Sequence, residues 1–150
     1  MNKVTIRLLP TGVPGLDDLL GGGVPEFSFN LLAGTPGSGK TTMAHQMMFS
    51  LASPARRAIF FTVLGEPALK MLRYQQQFPF FDPEKIDDSI RFVNLSADLL
   101  EGNFDAVLAR ITEEVRAFGA SLVFVDSFRS VMQTARGLDD GPAGLQHFVQ

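Results

Sequence analysis

The chain has 150 residues, enough for one domain with a hydrophobic core. Its net charge of −3 and pI near 5.3 weigh against a nucleic-acid binder that relies on overall positive charge, and the absence of cysteine excludes disulfides, zinc–thiolate sites and a thiol nucleophile. No apolar run approaches the ~18 residues of a membrane span and the N-terminus lacks a signal-peptide core, so we expect a cytoplasmic protein without membrane contact.

The first third of the chain alternates glycine-rich bends with short apolar runs. Residues 16–20 predict one or two helical turns followed by a tight bend at three successive glycines. The segment FSFNLLA, residues 27–33, is typical of a buried strand, and residues 40–52 show helical spacing of their apolar side chains.

The rest of the chain alternates strand-like and helix-like segments. Residues 58–64 are a continuous apolar run, as expected for a strand covered on both faces. The further predicted elements are a helix at 67–78, a strand at 90–95, a helix at 104–118 between an Asn103 cap and Gly119, and a strand at 121–127. This order predicts an α/β fold with a mainly parallel sheet between helices.

The stretch between the predicted strand at 27–33 and the helix at 40–52 fits the phosphate-binding pattern G-x-x-x-x-G-K-[ST]. Its backbone N–H groups can surround an anion at the positive end of the helix, Lys40 adds a point charge for the β- and γ-phosphates, and the Thr41 hydroxyl is suited to Mg²⁺. A flexible glycine turn would explain the glycines but not Lys40-Thr41. The predicted ATP-binding residues are Gly34, Thr35, Pro36, Gly37, Ser38, Gly39, Lys40, Thr41 and Thr42.

Asp126 ends the apolar run LVFVD at the carboxyl end of a predicted strand, where α/β sheets bind their ligands. A buried strand that ends in a turn-forming aspartate is the alternative explanation. With the phosphate-binding pattern upstream, we predict that Asp126 and Thr41 hold Mg²⁺.

Glu66 directly follows the strand predicted at 58–64, at the same edge of the sheet. It is a candidate for the catalytic residue that orients or deprotonates the attacking water. Its neighbour Pro67 begins a predicted helix, so a glutamate favoured by the helix dipole explains the local sequence equally well.

Four segments together resemble the KaiC-like group of RecA-superfamily ATPases, over about residues 11–135. They are TGVPGLDDLLGGGVP, GTPGSGKTT, FFTVLGEP and VFVDSFRSV. The resemblance implies a RecA-like P-loop fold, ATP and Mg²⁺ as ligands, and a ring-shaped homo-oligomer with nucleotide between subunits. It further implies ATP hydrolysis or autophosphorylation, with Lys40 among the catalytic residues and Thr42 near the α-phosphate. The clock protein of this group carries two adjacent glutamates where this chain has Leu64-Gly65, followed by the single Glu66.

In RecA-like sheets, the strand between the phosphate-loop strand and the strand that ends in the metal-binding acid comes later in the chain. Only about two dozen residues follow Asp126 here. We therefore expect residues 1–150 to be the N-terminal part of a single KaiC/RecA-like domain, truncated at its C-terminus and not a competent ATPase alone. The sheet should show either a gap at this place or two strands drawn together.

Two other functions fit parts of the sequence. A DNA-recombination motor would use Arg129 and Arg136, which follow Asp126 where recombinases place a DNA-contacting loop, although the acidic pI weighs against it. A nucleotide-dependent switch or scaffold would bind ATP without hydrolysis. We predict no catalytic role for His45, a packed or solvated helix residue, and core packing for the phenylalanines of residues 75–83.

Overall fold

The computed structural model of the protein describes residues 5–63, 68–101 and 103–127, together with residues 129 and 131. In chain order, its helices and strands are β1 (Leu8–Leu9), α1 (Leu16–Leu19), β2 (Val24–Pro25), α2 (Lys40–Leu51), β3 (Ala58–Thr62), α3 (Ala68–Gln75), β4 (Ile90–Asn94), α4 (Ser96–Leu100), α5 (Phe104–Phe118) and β5 (Leu122–Asp126). A short 3-10 helix spans Pro83–Lys85. The predicted α/β alternation is confirmed.

The main sheet is parallel, with the strand order β4-β3-β5. Phe60 of β3 lies opposite both Phe92 and Phe124, and Thr62 lies opposite Asp126. All five residues of β3 are buried, as the continuous apolar run predicts for a strand covered on both faces. The separate pair β1–β2 is antiparallel.

Successive side chains of β3 enter two different core clusters, because strand side chains alternate between faces. Ile59 and Phe61 pack on the α5 side of the sheet, while Ala58 and Phe60 pack on the α2 side. The sheet therefore lies between two helical layers, with α2 on one face and α5 on the other.

Helix α5 has the predicted ends and the predicted apolar stripe. The Asn103 carboxamide oxygen accepts a hydrogen bond from the Ala106 N–H, and Gly119 ends the helix with a φ of 66°. The six stripe residues all pack in the core cluster of the α5 side: Phe104, Val107, Leu108, Ile111, Val115 and Phe118.

The C-terminal end of α2 is held by the segment that follows α3. Lys85 Nζ donates to the carbonyl oxygens of Phe49 at 2.6 Å and Ala52 at 2.9 Å, which supplies a cation at the negative end of the helix. The rings of Phe80 and Phe81 lie 6.0 and 5.1 Å from that of Phe49. The predicted core packing is confirmed for these two phenylalanines.

The prediction of a buried strand at 27–33 is wrong. Residues 28–33 form no strand, and Phe27, Phe29 and Leu31 are 105%, 51% and 67% exposed. The physical reason is the lack of a neighbour, because an extended segment needs a partner strand for its N–H and C=O groups. Within the described ranges, β5 pairs with β3 alone and nothing pairs with its other edge.

None of the helices in the described part of the chain is long and apolar enough to cross a bilayer.

Candidate nucleotide-binding site

Residues 34–39 form an exposed loop that leads directly into α2. Gly37 and Gly39 have φ values of 78° and 90°, the left-handed region in which a side chain is disfavoured. Gly39 is the residue that precedes the helix, so the loop ends at the unsatisfied N–H groups of its first turn. The loop therefore lies at the N-terminus of a twelve-residue helix, where the exposed N–H groups and the helix dipole favour an anion.

The Lys40 side chain folds back over this loop. Its Nζ donates to the carbonyl oxygens of Gly34 at 2.9 Å and Thr35 at 2.8 Å, and the Ser38 hydroxyl lies 3.5 Å away. The ammonium group is thus already held at the loop, where two carbonyl dipoles stabilise its charge. The phosphate oxygens of a bound nucleotide would replace these carbonyls as stronger, charged partners.

The structure brings together Thr41 and Asp126, which are 85 residues apart in sequence. The Thr41 hydroxyl donates to Asp126 Oδ2 at 2.5 Å. Thr41 lies in the first turn of α2 and Asp126 ends β5, so the helix N-terminus and the carboxyl end of the strand meet at one edge of the sheet. The sequence predicted this meeting, and the contact between the two side chains agrees with it.

The pair offers a hydroxyl and a carboxylate, the hard oxygen ligands that Mg²⁺ prefers. Magnesium sites of nucleotide-binding proteins use one or two such groups, with phosphates and waters in the remaining positions. Among the described residues, no three or more His, Asp or Glu side chains lie close enough together to bind a metal ion by themselves. The donor set therefore fits a metal that arrives with a phosphate better than a structural metal.

The segment at 11–17 has a structural role that the sequence did not indicate. The Thr11 N–H and hydroxyl donate to Asp17 Oδ1 at 2.8 and 2.7 Å, and Gln46 Nε2 of α2 donates to the Gly12 carbonyl at 3.2 Å. A Cβ on Gly12 would lie 1.9 Å from the Ser50 hydroxyl oxygen, so only glycine permits this approach. The glycine-rich N-terminal motif thus holds the chain against the outer side of the phosphate-loop helix.

His45 is fully buried on α2, and its ring nitrogens make no hydrogen bond with a described residue. Burial lowers the pKa of His45 from its ordinary value of 6.5 to about 4, although the neighbouring Gln75 side chain and the charge of Asp126 act in the opposite direction. The imidazole is therefore neutral at pH 7. The sequence left open whether His45 is packed or solvated, and the structure shows that it is packed.

We expect this burial to make the protein sensitive to acid. The unfolded chain protonates His45 near pH 6.5 and the folded protein only near pH 4, so folding stability is lost as the pH falls through that interval. The loss from this one group should be roughly 2–3 kcal/mol at pH 4.5, at about 1.4 kcal/mol per pH unit. Urea unfolding of wild type and His45→Phe at pH 7 and pH 4.5 measures it. An equal decrease in both proteins would contradict the assignment to His45.

Of the remaining predicted residues, the structure describes two and leaves two outside the described ranges. Thr42 follows Thr41 on α2 and is half-buried, and Arg129 is exposed beyond β5. Glu66 and Arg136 lie outside the described residues. The chain does leave β3 beside the site, because the Val63 N–H donates to the Asp126 carbonyl at 3.0 Å.

Comparison with known proteins agrees with these motifs. The profile of the family described as "ATPase: KaiC" matches residues 9–138. The circadian clock oscillator protein KaiC of Prochlorococcus marinus is 30% identical over 139 residues, and circadian clock protein KaiC3 of Synechocystis is 31% identical over 135 residues. These alignments cover 87% and 84% of this chain, which spans about a quarter of the length of these relatives (27% and 26%).

A further relative is the DNA repair and recombination protein RadB of Halobacterium salinarum. It is 33% identical over 134 residues, which are 88% of this chain and 53% of that protein.

Proposed function

The chain belongs to the KaiC family of ATPases, within the RecA superfamily of P-loop proteins. We propose that the whole protein binds ATP with Mg²⁺ at residues 34–41 and Asp126 and hydrolyses it. The observation that carries the proposal is the contact between Thr41 and Asp126. It joins the phosphate-binding loop and the strand-end carboxylate, the two parts that a magnesium nucleotide needs together.

Each residue has a role that follows from its position. The N–H groups of residues 34–39 and the first turn of α2 bind the phosphates, and Lys40 exchanges its two carbonyl partners for phosphate oxygens. Thr41 and Asp126 hold Mg²⁺, which neutralises phosphate charge when bound. Thr42 contacts the α-phosphate side, and Glu66 orients or deprotonates the attacking water.

The proposal extends to assembly. The resemblance to KaiC-like proteins implies a ring with nucleotide between subunits, and we propose such a homo-oligomer and an autokinase reaction for this protein. The exposed apolar side chains of Phe27, Phe29 and Leu31 support this assembly, since exposed apolar surface marks interaction sites. The cytoplasm remains the predicted location.

A second candidate function is a recombination motor, which the similarity to RadB favours. The net charge of −3 opposes it. ATP turnover measured with and without single-stranded DNA at several salt concentrations separates the two, because a DNA motor should show salt-sensitive stimulation by DNA.

The test of the proposed function is the effect of Asp126→Asn on nucleotide affinity. ATP affinity is measured by calorimetry with excess Mg²⁺ and again with EDTA. In the variant, we expect the increase in ATP affinity that Mg²⁺ gives to be smaller by at least about 10-fold. The ATP affinity measured in EDTA should stay as in wild type. Asn is isosteric with Asp but lacks the negative charge that strengthens the binding of Mg²⁺.

The matched control is Glu113→Gln, which removes one negative charge from an exposed position on α5. It should leave both affinities unchanged. Wild-type protein that binds no ATP, or whose affinity does not depend on Mg²⁺, would refute the proposed function.

A further inference from the structure

His45 is a buried polar residue for which the proposed reaction has no use. It lies on α2 four residues after Thr41 and is 0% exposed. Its ring centroid lies 4.5 Å from that of Phe60, and 5.8 Å from that of Phe92 in an edge-on arrangement. The ring is therefore fixed against two neighbouring strands of the sheet.

Helix α2 meets the sheet at two levels. Thr41 contacts Asp126 of β5, and one helical turn later His45 packs on Phe60 of β3 and Phe92 of β4. Together these two residues touch all three strands of the sheet. The helix therefore has one contact at the candidate metal site and one beneath it.

The spacing of the two contacts is the same on the helix and on the sheet. Four residues of an α-helix rise about 6 Å. On the sheet, Asp126 is level with Thr62, which lies two residues beyond Phe60, and two residues of a strand span about 6.6 Å. The His45 ring on Phe60 therefore sets the height of α2 at which the Thr41 hydroxyl is level with the Asp126 carboxylate.

We infer that His45 is a positioning residue for the magnesium site, and that its ring, packed against Phe60 and Phe92, holds Thr41 at the distance from Asp126 that a shared metal ion requires. The inference rests on the proposed function. Magnesium accepts ligands only near 2.0–2.1 Å in octahedral geometry, so a small shift of α2 weakens metal binding while the loop's backbone N–H groups still bind phosphate.

Three variants of the protein distinguish this role from ordinary core packing. His45→Ala removes the ring, and His45→Phe keeps an aromatic ring of similar size without the nitrogens. Met48→Ala is the matched control, because Met48 is also 0% exposed on α2 and belongs to the same core cluster as Phe60, but lies a turn further from Thr41. For each protein, the ATP dissociation constant is measured with excess Mg²⁺ and with EDTA, and thermal unfolding is recorded.

We expect His45→Ala to reduce the gain in affinity from Mg²⁺ by about 10-fold, within the 10–100-fold typical of residues that orient metal ligands, and to change the affinity in EDTA less than about twofold. His45→Phe should restore the gain. Met48→Ala should lower the unfolding temperature as His45→Ala does, yet keep the gain from Mg²⁺.

Several outcomes would overturn the inference. His45→Ala could keep the full gain in ATP affinity from Mg²⁺, or lose affinity equally with Mg²⁺ and with EDTA. Either result would show that His45 is a core residue only. Failure of His45→Phe to restore the gain, or an equal loss in Met48→Ala, would exclude ring packing at this level as the cause. If the ATP affinity of the wild type does not increase with Mg²⁺, the proposed function fails and this inference fails with it. If the wild type shows the increase and His45→Ala retains it, only the inference is refuted.

Discussion

In the full-length protein, Glu66→Gln is expected to reduce ATP turnover by about 10²–10⁴-fold, the typical contribution of a general base, while ATP binding stays as in wild type. Glutamine keeps the size and hydrogen-bonding ability of the side chain but cannot take a proton at neutral pH. Steady-state phosphate release and calorimetric ATP binding, measured on the same preparations, separate the two effects.

The strand before Glu66 gives the structural ground for this expectation. Thr62 ends β3 level with Asp126, and the Val63 N–H donates to the Asp126 carbonyl oxygen. The chain therefore leaves the sheet at the candidate metal site three residues before Glu66. Because α/β sheets bind their ligands at the carboxyl ends of the strands, we expect the Glu66 carboxylate to act on a water beside the γ-phosphate.

The control for Glu66→Gln is Glu84→Gln, an exposed glutamate beside a proline in the 3-10 helix. It should leave turnover and binding unchanged. Full turnover in Glu66→Gln would reduce Glu66 to a residue favoured by the helix dipole. Wild-type protein that binds ATP without any turnover would instead favour the nucleotide-dependent switch.

The second large effect is expected for Lys40→Ala, which should weaken ATP binding by about 10²–10⁴-fold. The estimate assumes that Lys40 makes two charge-assisted hydrogen bonds to the β- and γ-phosphates at about 1.5–3 kcal/mol each. The loop should keep its shape in the variant, because the left-handed Gly37 and Gly39 do not depend on the lysine. Calorimetric titration with ATP and Mg²⁺ measures the change.

Lys70→Ala, at an exposed position of α3, removes the same charge elsewhere and should bind ATP as wild type does. Because Lys40 is held by the Gly34 and Thr35 carbonyls before nucleotide arrives, its loss should also slow association less than it speeds dissociation. Equal affinity of Lys40→Ala and wild type would place the nucleotide elsewhere.

The sequence predicted the elements whose signals are local. Asn103 and Gly119 mark the ends of α5, and the apolar run at 58–64 identifies the central strand, because capping geometry and burial on both faces act within a few residues. The strand predicted at 27–33 failed for a non-local reason. Its apolar composition is that of a strand, but hydrogen-bonded pairing needs a neighbour, and none lies beside it in the described part of the chain.

The sequence predicts the residues of the candidate site but few of the contacts among them. The meeting of Thr41 and Asp126 follows from the rule that parallel strands end at one edge of a sheet. The carbonyl contacts of Lys40 and the packing of His45 on Phe60 do not follow, since they depend on how a flexible side chain and a helix settle against the sheet. The aromatic content of β3 and β4 gave no sign that a histidine would lie between them.

The position of β3 in the middle of the sheet also bears on how the chain folds during synthesis. Both of its neighbours, β4 and β5, come later in the chain, and β5 follows about sixty residues after it. At roughly 5–20 residues per second, the ribosome needs several seconds to supply that second neighbour. During this time one edge of the strand lacks its partner, and the face that carries Ile59 and Phe61 stays uncovered until α5 has been made. The nascent protein should therefore depend on chaperones until β5 has emerged.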